Sequence, residues 1–282
     1  MAKNRSLRLN KILYYNTMRA LLILVTFIYM LPFLWMVTTS LKANQDLYLY
    51  PPKIISIPPV FENYKKAVEY FPFWRYFRNS VIITVGTIAG TLFSCPLVAY
   101  SFSKINWKGR NILFYIMIST IMLPFAVTMI PQFIIFKKLG WLNTFLPLIV
   151  PSFLGSPLSI FLIRQFFLTI PDELLDAARV DGASELQIYL KIMLPLAKPV
   201  LFLITLFTFI GSWNNYLGPL IYITDESKYP LSLGLPQFLD RYGTYWNWMM
   251  AAATISVIPT IIFFAFAQRY LIEGIKLTGL KG

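Results

Sequence analysis

The chain has no histidine, a single cysteine and few charged residues. Its 282 residues include only Cys95, so no intramolecular disulfide is possible. A metal site built from cysteine and histidine is excluded as well. Charged residues make up 13% of the chain, whereas soluble globular domains contain about 25%. The low charge predicts that much of the protein surface contacts an apolar phase instead of water.

The hydrophobic residues, 57% of the chain, fall into long runs that carry almost no charge. A bilayer core about 30 Å thick is crossed by about 20 helical residues. Six runs reach that length, which predicts an all-α membrane protein with six transmembrane helices. The runs are Thr17–Ser40, Asn79–Phe102, Asn111–Phe136, Phe145–Phe167, Pro199–Ile223 and Asn247–Leu271, of which the fourth is broken by Pro147, Pro151, Gly155 and Pro157.

The net charge of +13 is distributed along the chain in a way that predicts its orientation in the membrane. Cytoplasmic loops of membrane proteins collect lysine and arginine. The two termini and the short loop after the second run are basic, so both termini are expected in the cytoplasm and no nucleic-acid partner is expected. Lys137 and Lys138, in a short outer loop, run against this pattern. The long apolar stretch after the basic start predicts a retained first span rather than a cleaved signal peptide. The basic residues are Lys3, Arg5, Arg8, Lys11 and Arg19 at the start, Lys104, Lys108 and Arg110 in the loop, and Arg269, Lys276 and Lys281 at the end.

Acidic residues are missing between the ends of the six runs. Ionisable residues inside a membrane mark proton relays and ion-coupling sites, so their absence argues against an ion-driven transporter or a proton pump. The chain also lacks a phosphate-binding loop of the Gly-x-x-x-x-Gly-Lys-Ser/Thr type. If it moves a solute uphill, the energy comes from another polypeptide. The many prolines within the runs fit ordinary kinked helices or a pathway that opens and closes.

One polar stretch, "DELLDAARVDGASELQIYLKIMLPLAKP" from Asp172 to Pro199, interrupts the apolar sequence. Thr169 is expected to cap a first short helix, and Gly182 is expected to end it in a left-handed conformation. Ser184 and Gln187 have the spacing of a capping box for a second helix, which ends near Pro195. The pattern predicts a helical hairpin at the membrane surface, either without a partner or approached closely by another protein on a small-residue face of Ala177, Ala178 and Ala183.

The spacing Asp176-Ala177-Ala178, Gly182, Ile192 and Leu194-Pro195 resembles the "EAA" loop of ATP-binding cassette importer permeases. Asp176 stands where that family usually has glutamate. The wider string "IPDELLDAARVDGAS…KIMLPLAKP" is similar to the carbohydrate-uptake branch, the maltose-type permeases, and to their smaller permease subunit. The segments "YFRNSVIITVGT", "GSWNNYLGPL" and "AQRYLIEGIKLTGLKG" also resemble this family.

The resemblance implies a type I importer permease fold in a bacterial or archaeal cytoplasmic membrane. It implies a homologous second permease, two ATPase subunits, an extracytoplasmic binding protein and a sugar substrate. ATP and Mg would be bound by the ATPase, with no cofactor and no catalytic residue in this chain. In the family, the 172–195 loop supplies a coupling helix that sits in a cleft on the ATPase. The expected coupling residues are Asp176, Ala177, Ala178, Asp181, Gly182, Ala183, Ser184, Leu194 and Pro195.

The expected organisation has five parts: a cytoplasmic segment 1–16, a first span 17–40, an outer loop 41–75, a core permease domain 76–271 that includes the 169–198 loop, and a cytoplasmic tail 272–282. By resemblance, the outer loop faces the binding protein. Its basic residues are compatible with an anionic sugar, with solvated charge or with contacts to anionic lipid. They are Lys53, Lys65, Lys66, Arg75 and Arg78.

A candidate substrate path lies at Trp213, Asn214, Asn215 and Tyr216 in the fifth run. Amides donate to and accept from sugar hydroxyls, and aromatic faces cover the apolar side of a sugar ring. The alternative is hydrogen bonding between helices, for which asparagine is common in membranes. The family usually has an acid at the position of Asn215.

Two other classes of function are compatible with a membrane protein of this composition. A membrane-embedded enzyme acting on lipid or sugar-lipid would need a base, a nucleophile or a metal. Its candidates reduce to the acids between Asp172 and Glu185 and to Asp225, Glu226 and Asp240. A non-transporting scaffold is the third class. Uptake that depends on an ATPase separates the three.

Overall fold

The computed structural model describes residues 2–240 and 243–279, and nearly all of them are helical. The chain divides into two compact units. The first unit comprises Met1–Tyr70 and Phe238–Ile255, and the second comprises Phe71–Gln237 and Ser256–Gly282.

The first unit begins with the long helix α1, Ala2–Ser40, followed by a 3₁₀ turn at Asn44–Asp46 and helix α2, Glu62–Tyr70. Two short strands, β1 (Leu239–Asp240) and β2 (Gly243–Thr244), form an antiparallel pair in which Leu239 faces Thr244. The unit ends with the first turns of helix α14, Trp246–Gly279.

Asparagine side chains hold the elements of the first unit together. The buried Asn247 donates from Nδ2 to Asn44 Oδ1 at 2.8 Å. Asn63 Nδ2 donates to the carbonyls of Ser40 and Lys42 at 2.8 and 2.9 Å. These carbonyls lie at the end of α1, where no further turn of helix can pair with them. Asn63 therefore satisfies the Ser40 carbonyl, and it shares the Lys42 carbonyl with Asn247, which donates to it at 3.2 Å.

The second unit contains the rest of the helices. Its longest helix within this unit is α3 (Phe73–Lys104), which packs against α7 (Pro157–Leu168) and α11 (Lys198–Trp213). The remaining helices are α4 (Arg110–Ser119), α5 (Phe125–Lys138), α6 (Leu146–Ile149), α8 (Asp172–Val180), α9 (Glu185–Ile188), α10 (Leu194–Leu196), α12 (Leu217–Tyr222) and α13 (Leu231–Gly234).

Glycine allows α3 to approach the 3₁₀ segment Val150–Leu154 closely. A Cβ added at Gly90 would lie 2.1 Å from Ser152 Oγ, a distance that no packing tolerates. The approach is fixed by Ser94, whose hydroxyl donates to the Ser152 carbonyl at 2.9 Å. The proline-rich fourth run therefore packs along α3 through its backbone.

Four helical segments within the described residues are long and apolar enough to span a membrane, or up to six if each of two bent pairs is one span. The prediction of an all-helical membrane protein is confirmed. The four segments are Leu13–Ser40, Phe73–Lys104, Leu146–Leu168 and Trp246–Gln268, and the bent pairs are Arg110–Met122 with Phe125–Lys138 and Glu185–Leu196 with Lys198–Trp213.

The third and fifth runs are not the continuous helices that the sequence predicts. In the third, the chain bends by 102° between Met122 and Phe125. Pro124 explains the break, because a proline disfavours helical conformation in the residue before it, and Leu123 is extended. In the fifth, α11 ends at Trp213 instead of continuing to Ile223. At the end of the chain, α14 stays helical to Gly279, past the predicted limit at Leu271.

Candidate functional site

The polar stretch between the fourth and fifth runs folds into the predicted hairpin. Helix α8 ends at Val180, and Gly182 has φ of +82°. The Ser184 hydroxyl accepts from Gln187 N while the Gln187 side chain accepts from Ser184 N, so the predicted capping box is present. After α9, residues Tyr189–Met193 form a π-helical turn that leads into α10.

The predicted cap of the first helix is wrong. Thr169 follows α7, and its hydroxyl donates to the Phe166 carbonyl at 2.7 Å. The residue before α8 is Pro171, which supplies no side-chain cap. Since Pro171 fixes the backbone at the helix start and Asp172 and Glu173 lie in the first turn, proline and charge begin this helix in place of a hydroxyl.

Apolar side chains anchor the hairpin to the spans. Leu175 of α8 and Ile188 of α9 are fully buried, as is Met193 of the π-helical turn. They belong to one core cluster with Ala99 of α3 and Phe167 of α7. The hairpin is therefore a continuation of the transmembrane core.

Of the three small residues named for the hairpin, one is exposed and two are half-buried. Ala178 and Ala183 pack against the core cluster, and only Ala177 is exposed. Their size allows α8 and the elbow to lie close to the chain's own spans. Larger apolar residues of the hairpin are exposed, with Val180 88% exposed beside the elbow. Leu174, Leu186 and Leu190 are exposed on the same hairpin.

A charged network joins the two arms of the hairpin to the second span. Arg179 donates to Asp176 Oδ1 at 2.7 Å and to Glu185 Oε1 at 2.8 Å. The other carboxylate oxygen of Glu185 accepts from the Tyr100 hydroxyl of α3 at 2.5 Å. Hydrogen bonds to Glu185 and then Asp176 raise the pKa of Arg179 above its usual value. Glu185 thus contacts both α8 and α3.

A second contact holds the start of α8. The Lys104 ammonium, on a side chain only 4% exposed, donates to the Ile170 carbonyl and to Asp172 Oδ1, both at 2.6 Å. The hydrogen bond and charge of Lys104 lower the pKa of the Asp172 carboxyl. The last residue of α3 is therefore bonded to the segment that begins the hairpin.

The remaining predicted coupling residues lie at the ends of the two arms. Asp181 is exposed, and its backbone N–H donates to the Ala177 carbonyl at 3.0 Å. Leu194 packs against the core cluster, and Pro195 is exposed in the first turn of α10. The hairpin thus brings all the predicted coupling residues into one structure, in which some face outward and others face the core.

A groove of about 450 Å³ lies among α3, α7, α11 and the 150–156 segment. Its lining is rich in hydroxyl groups, and none of the described residues that line it is charged. Ser212 Oγ is buried and has no hydrogen-bond partner. The polar side chains of the lining are Thr87, Thr91, Ser152, Ser156, Ser159, Thr208, Ser212 and Asn215.

Of the four residues predicted for the substrate path, only Asn215 lines this groove. Trp213 is buried, and its indole donates to the Ser256 carbonyl at 3.1 Å. Asn214 donates to the Ile210 carbonyl at 2.9 Å and closes the end of α11. Tyr216 is exposed. These three residues lie at the end of α11 or just after it.

Several of the acids that a membrane-embedded enzyme would need are bonded to neighbouring groups of the chain. Asp225 accepts from Ser227 N at 2.9 Å and caps a short 3₁₀ turn that contains Glu226. Asp172 is bonded to Lys104, as described above. Across the described part of the chain, no three acidic, cysteine or histidine side chains converge to hold a metal ion. The side chain of Asp240 and residues 280–282 lie outside the described structure.

Sequence reasoning missed Tyr100, Lys104 and Arg179 as parts of the site, and it missed the hydroxyls of the groove. Lys104 was visible as a charge at the end of a span, but its partner is 68 residues away. Nothing in the local sequence distinguishes Tyr100 from other tyrosines in the spans.

Residues 82–277 match the family described as "binding-protein-dependent transport system inner membrane component". The chain is 32% identical to the arabinooligosaccharides transport system permease protein AraQ of Halalkalibacterium halodurans, over 92% of this chain and 93% of that protein. It is also 32% identical to the trehalose/maltose transport system permease protein MalG of Thermococcus litoralis, over 92% and 94%.

Among solved structures, the fold is similar to a chain in a bacterial ABC transporter involved in the import of the acidic polysaccharide alginate. The TM-score is 0.80 at 26% identity, and the match covers 92% of this chain and 96% of that one.

Proposed function

Because the chain belongs to the family of binding-protein-dependent transport system inner membrane components, we propose that it is the permease subunit of an ATP-driven sugar importer. It forms half of the translocation pathway and is coupled to a separate ATPase through residues 172–195. The observation that carries this function is the hairpin, which is exposed on one side and packed into the transmembrane core on the other. A body bound to its exposed side can move the spans.

The hairpin can transmit motion from the ATPase to the spans because one part of it is exposed and another part is held in the core. Val180, Leu174 and Leu186 present an apolar surface that fits an apolar cleft on the ATPase. Leu175 and Ile188 are held in the core, and Glu185 is bonded to Tyr100. When ATP closes the ATPase, the displaced hairpin moves α3 and α7 with it. The importer thereby alternates between two states, each open to one side of the membrane.

The proposed assembly contains this chain, a homologous second permease, two ATPase subunits and an extracytoplasmic binding protein. Both termini lie in the cytoplasm, which places the hairpin on the same side as the ATPase. ATP and Mg bind to the ATPase, and this chain supplies the path and the mechanical connection. The relatives named AraQ and MalG support a sugar or oligosaccharide as the solute.

The groove favours an uncharged sugar over an anionic one. Its hydroxyl and amide groups can exchange hydrogen bonds with sugar hydroxyls, and no charged side chain among the described lining residues would pair with a carboxylate. The basic residues named for the outer loop are not among the residues that line the groove. Competition for uptake by neutral oligosaccharides but not by uronic-acid oligosaccharides is the expected result, and the reverse result would contradict it.

The test of the function is to isolate the chain from its native membrane in mild detergent and to identify the bound proteins by mass spectrometry. An ATP-binding cassette ATPase and a second permease are expected. Val180→Asp should release the ATPase, because it places a charge in an apolar contact, whereas Val180→Ile should retain it. A chain that purifies alone, or with a lipid-modifying enzyme, contradicts the importer function.

A further inference from the structure

The segment after the first span exposes an unusual density of large apolar side chains. Tyr50 is 97% exposed and Ile57 is 86% exposed. Six exposed large apolar side chains within ten residues favour a contact with another apolar phase or molecule. The exposed apolar residues of this segment, Tyr48–Ile57, are Tyr48, Leu49, Tyr50, Ile54, Ile55 and Ile57.

Hydrogen bonds connect residues near both ends of the segment to the residues that follow α1. Val60 N donates to the Leu41 carbonyl at 2.9 Å. Ala43 N donates to Ser56 Oγ at 3.3 Å, and that hydroxyl donates to Asp46 Oδ2 at 2.5 Å. A chain closed between residues 46 and 56 reaches at most about 17 Å from its base, at about 3.4 Å a residue. The whole segment therefore stays near the level where the first span leaves the membrane.

The charged groups at the base of the loop are paired, although the Lys53 side chain is 43% exposed. Asp46 and Ser56 are buried, and Lys53 donates to both oxygens of Asp46 at 3.2 Å. The base of the loop thus carries a paired carboxylate, while the outer surface carries tyrosine, leucine and isoleucine. An outer surface without unpaired charge suits the boundary between lipid headgroups and acyl chains, where tyrosine is enriched.

We propose that Tyr48–Ile57 lies in the outer leaflet of the bilayer as an interfacial anchor beside the first span. It continues the lipid-facing surface of α1, whose apolar side chains Phe33, Leu34 and Trp35 are exposed up to the last turns of the helix. The tyrosine hydroxyls meet the headgroups, and the aliphatic side chains enter the upper part of the acyl layer. The anchor fixes the depth of the outer end of α1.

Nitroxide labels at Leu49→Cys and Ile54→Cys test this depth in the full chain reconstituted in phosphatidylethanolamine–phosphatidylglycerol vesicles. Both native side chains are exposed, so their replacement removes no core contact, and the buried Cys95 is expected to take no label. Labels at both positions should be relaxed more by lipid-soluble oxygen than by a water-soluble nickel chelate. Lys65→Cys, on the exposed side of α2, is the matched control and should show the opposite ratio.

The same measurement is then made on the assembled transporter, isolated from native membranes into nanodiscs. It shows whether lipid or another protein contacts the Tyr48–Ile57 segment. Lipid contact is supported if the oxygen preference persists there. Nickel relaxation equal to that at position 65 overturns the proposal, since the loop is then in water. Protection from both reagents in the assembled transporter also overturns it, because the loop is then covered by the binding protein or the second permease.

Discussion

The hydroxyl of Tyr100, in α3, donates to Glu185 Oε2 in the hairpin at 2.5 Å. The same carboxylate binds Arg179 through its other oxygen. One side chain therefore connects the arm that carries Val180 with the helix that lines the groove. If the hairpin transmits force, this connection is on its path.

Tyr100→Phe is expected to lower ATP-driven uptake about tenfold without lowering the amount of protein in the membrane, since a hydrogen bond to a charged group contributes about 1.5–3 kcal/mol. Glu185→Gln should have a similar effect, and the double variant should be no worse than the stronger single one. Tyr115→Phe on the exposed face of α4 is the control. Independent, additive losses would show that the two residues do not act together. Uptake into vesicles and quantitative immunoblots give both quantities.

Gly182→Ala should impair the coupling of ATP hydrolysis to transport, because it strains the backbone of the elbow without creating a side-chain clash. A Cβ at this position meets no atom within 4 Å, but φ is +82°, and an L-residue in that region costs about 1–2 kcal/mol. Gly140→Ala is a matched control because Gly140 has φ of +68° and equally open space, outside the hairpin. Both variants should lose similar thermal stability, and only Gly182→Ala should lose sugar-stimulated ATPase activity. Equal ATPase activity in the two variants would show that the backbone conformation at Gly182 is not needed for coupling.

The ion pair of Asp172 and Lys104 predicts a pH dependence of stability. The folded chain lowers the pKa of Asp172, so the stabilisation is complete above the usual carboxyl pKa of about 4 and is lost as the pH falls through the lowered value. Because the carboxylate is 76% exposed, the contribution is expected to be below about 1 kcal/mol. Thermal unfolding of the wild type and Asp172→Asn should differ at pH 7 and converge at pH 3. An Asp172→Asn profile that matches the wild type at every pH would show that the contact does not stabilise the protein in solution.

Ser212→Ala should lower uptake without lowering stability. The Ser212 hydroxyl is buried beside the groove and lacks a partner, so its removal deletes an unsatisfied polar group and is neutral or slightly stabilising. A loss of uptake therefore reports a lost contact with the solute. Ser119→Ala, on an exposed part of α4, provides the comparison. Wild-type uptake by Ser212→Ala would exclude this hydroxyl from the path.

The sequence predicted the features that depend on local chemistry. Gly182 and the pair Ser184–Gln187 form the elbow and cap expected from their spacing. The bend at Pro124 and the end of α11 at Trp213 were missed, because hydrophobic runs show where lipid is present and not where a helix stops. Thr169 was misread as a cap, since Pro171 already starts the next helix.

Contacts between distant parts of the chain could not be predicted. Tyr100 and Glu185 are 85 residues apart, and each is ordinary in its own segment. The groove is likewise assembled from residues of four segments, so that only Asn215 could be proposed from a local pattern. The direction in which Ala178 and Ala183 face depends on the packing of the hairpin onto the spans, which composition does not specify.

Ala178 and Ala183 pack against the core cluster, whereas other residues of the same hairpin are exposed. Packing onto the spans and contact with a partner are therefore carried out by different residues. The alanines set how the hairpin folds against its own spans, while Val180, Leu174 and Leu186 set what it offers to a partner. We expect substitutions of the exposed residues to change the contact with a partner more than the packing of the hairpin. We therefore expect that a permease with this arrangement can adapt to a different ATPase subunit through changes in a few exposed side chains, while its core packing is kept.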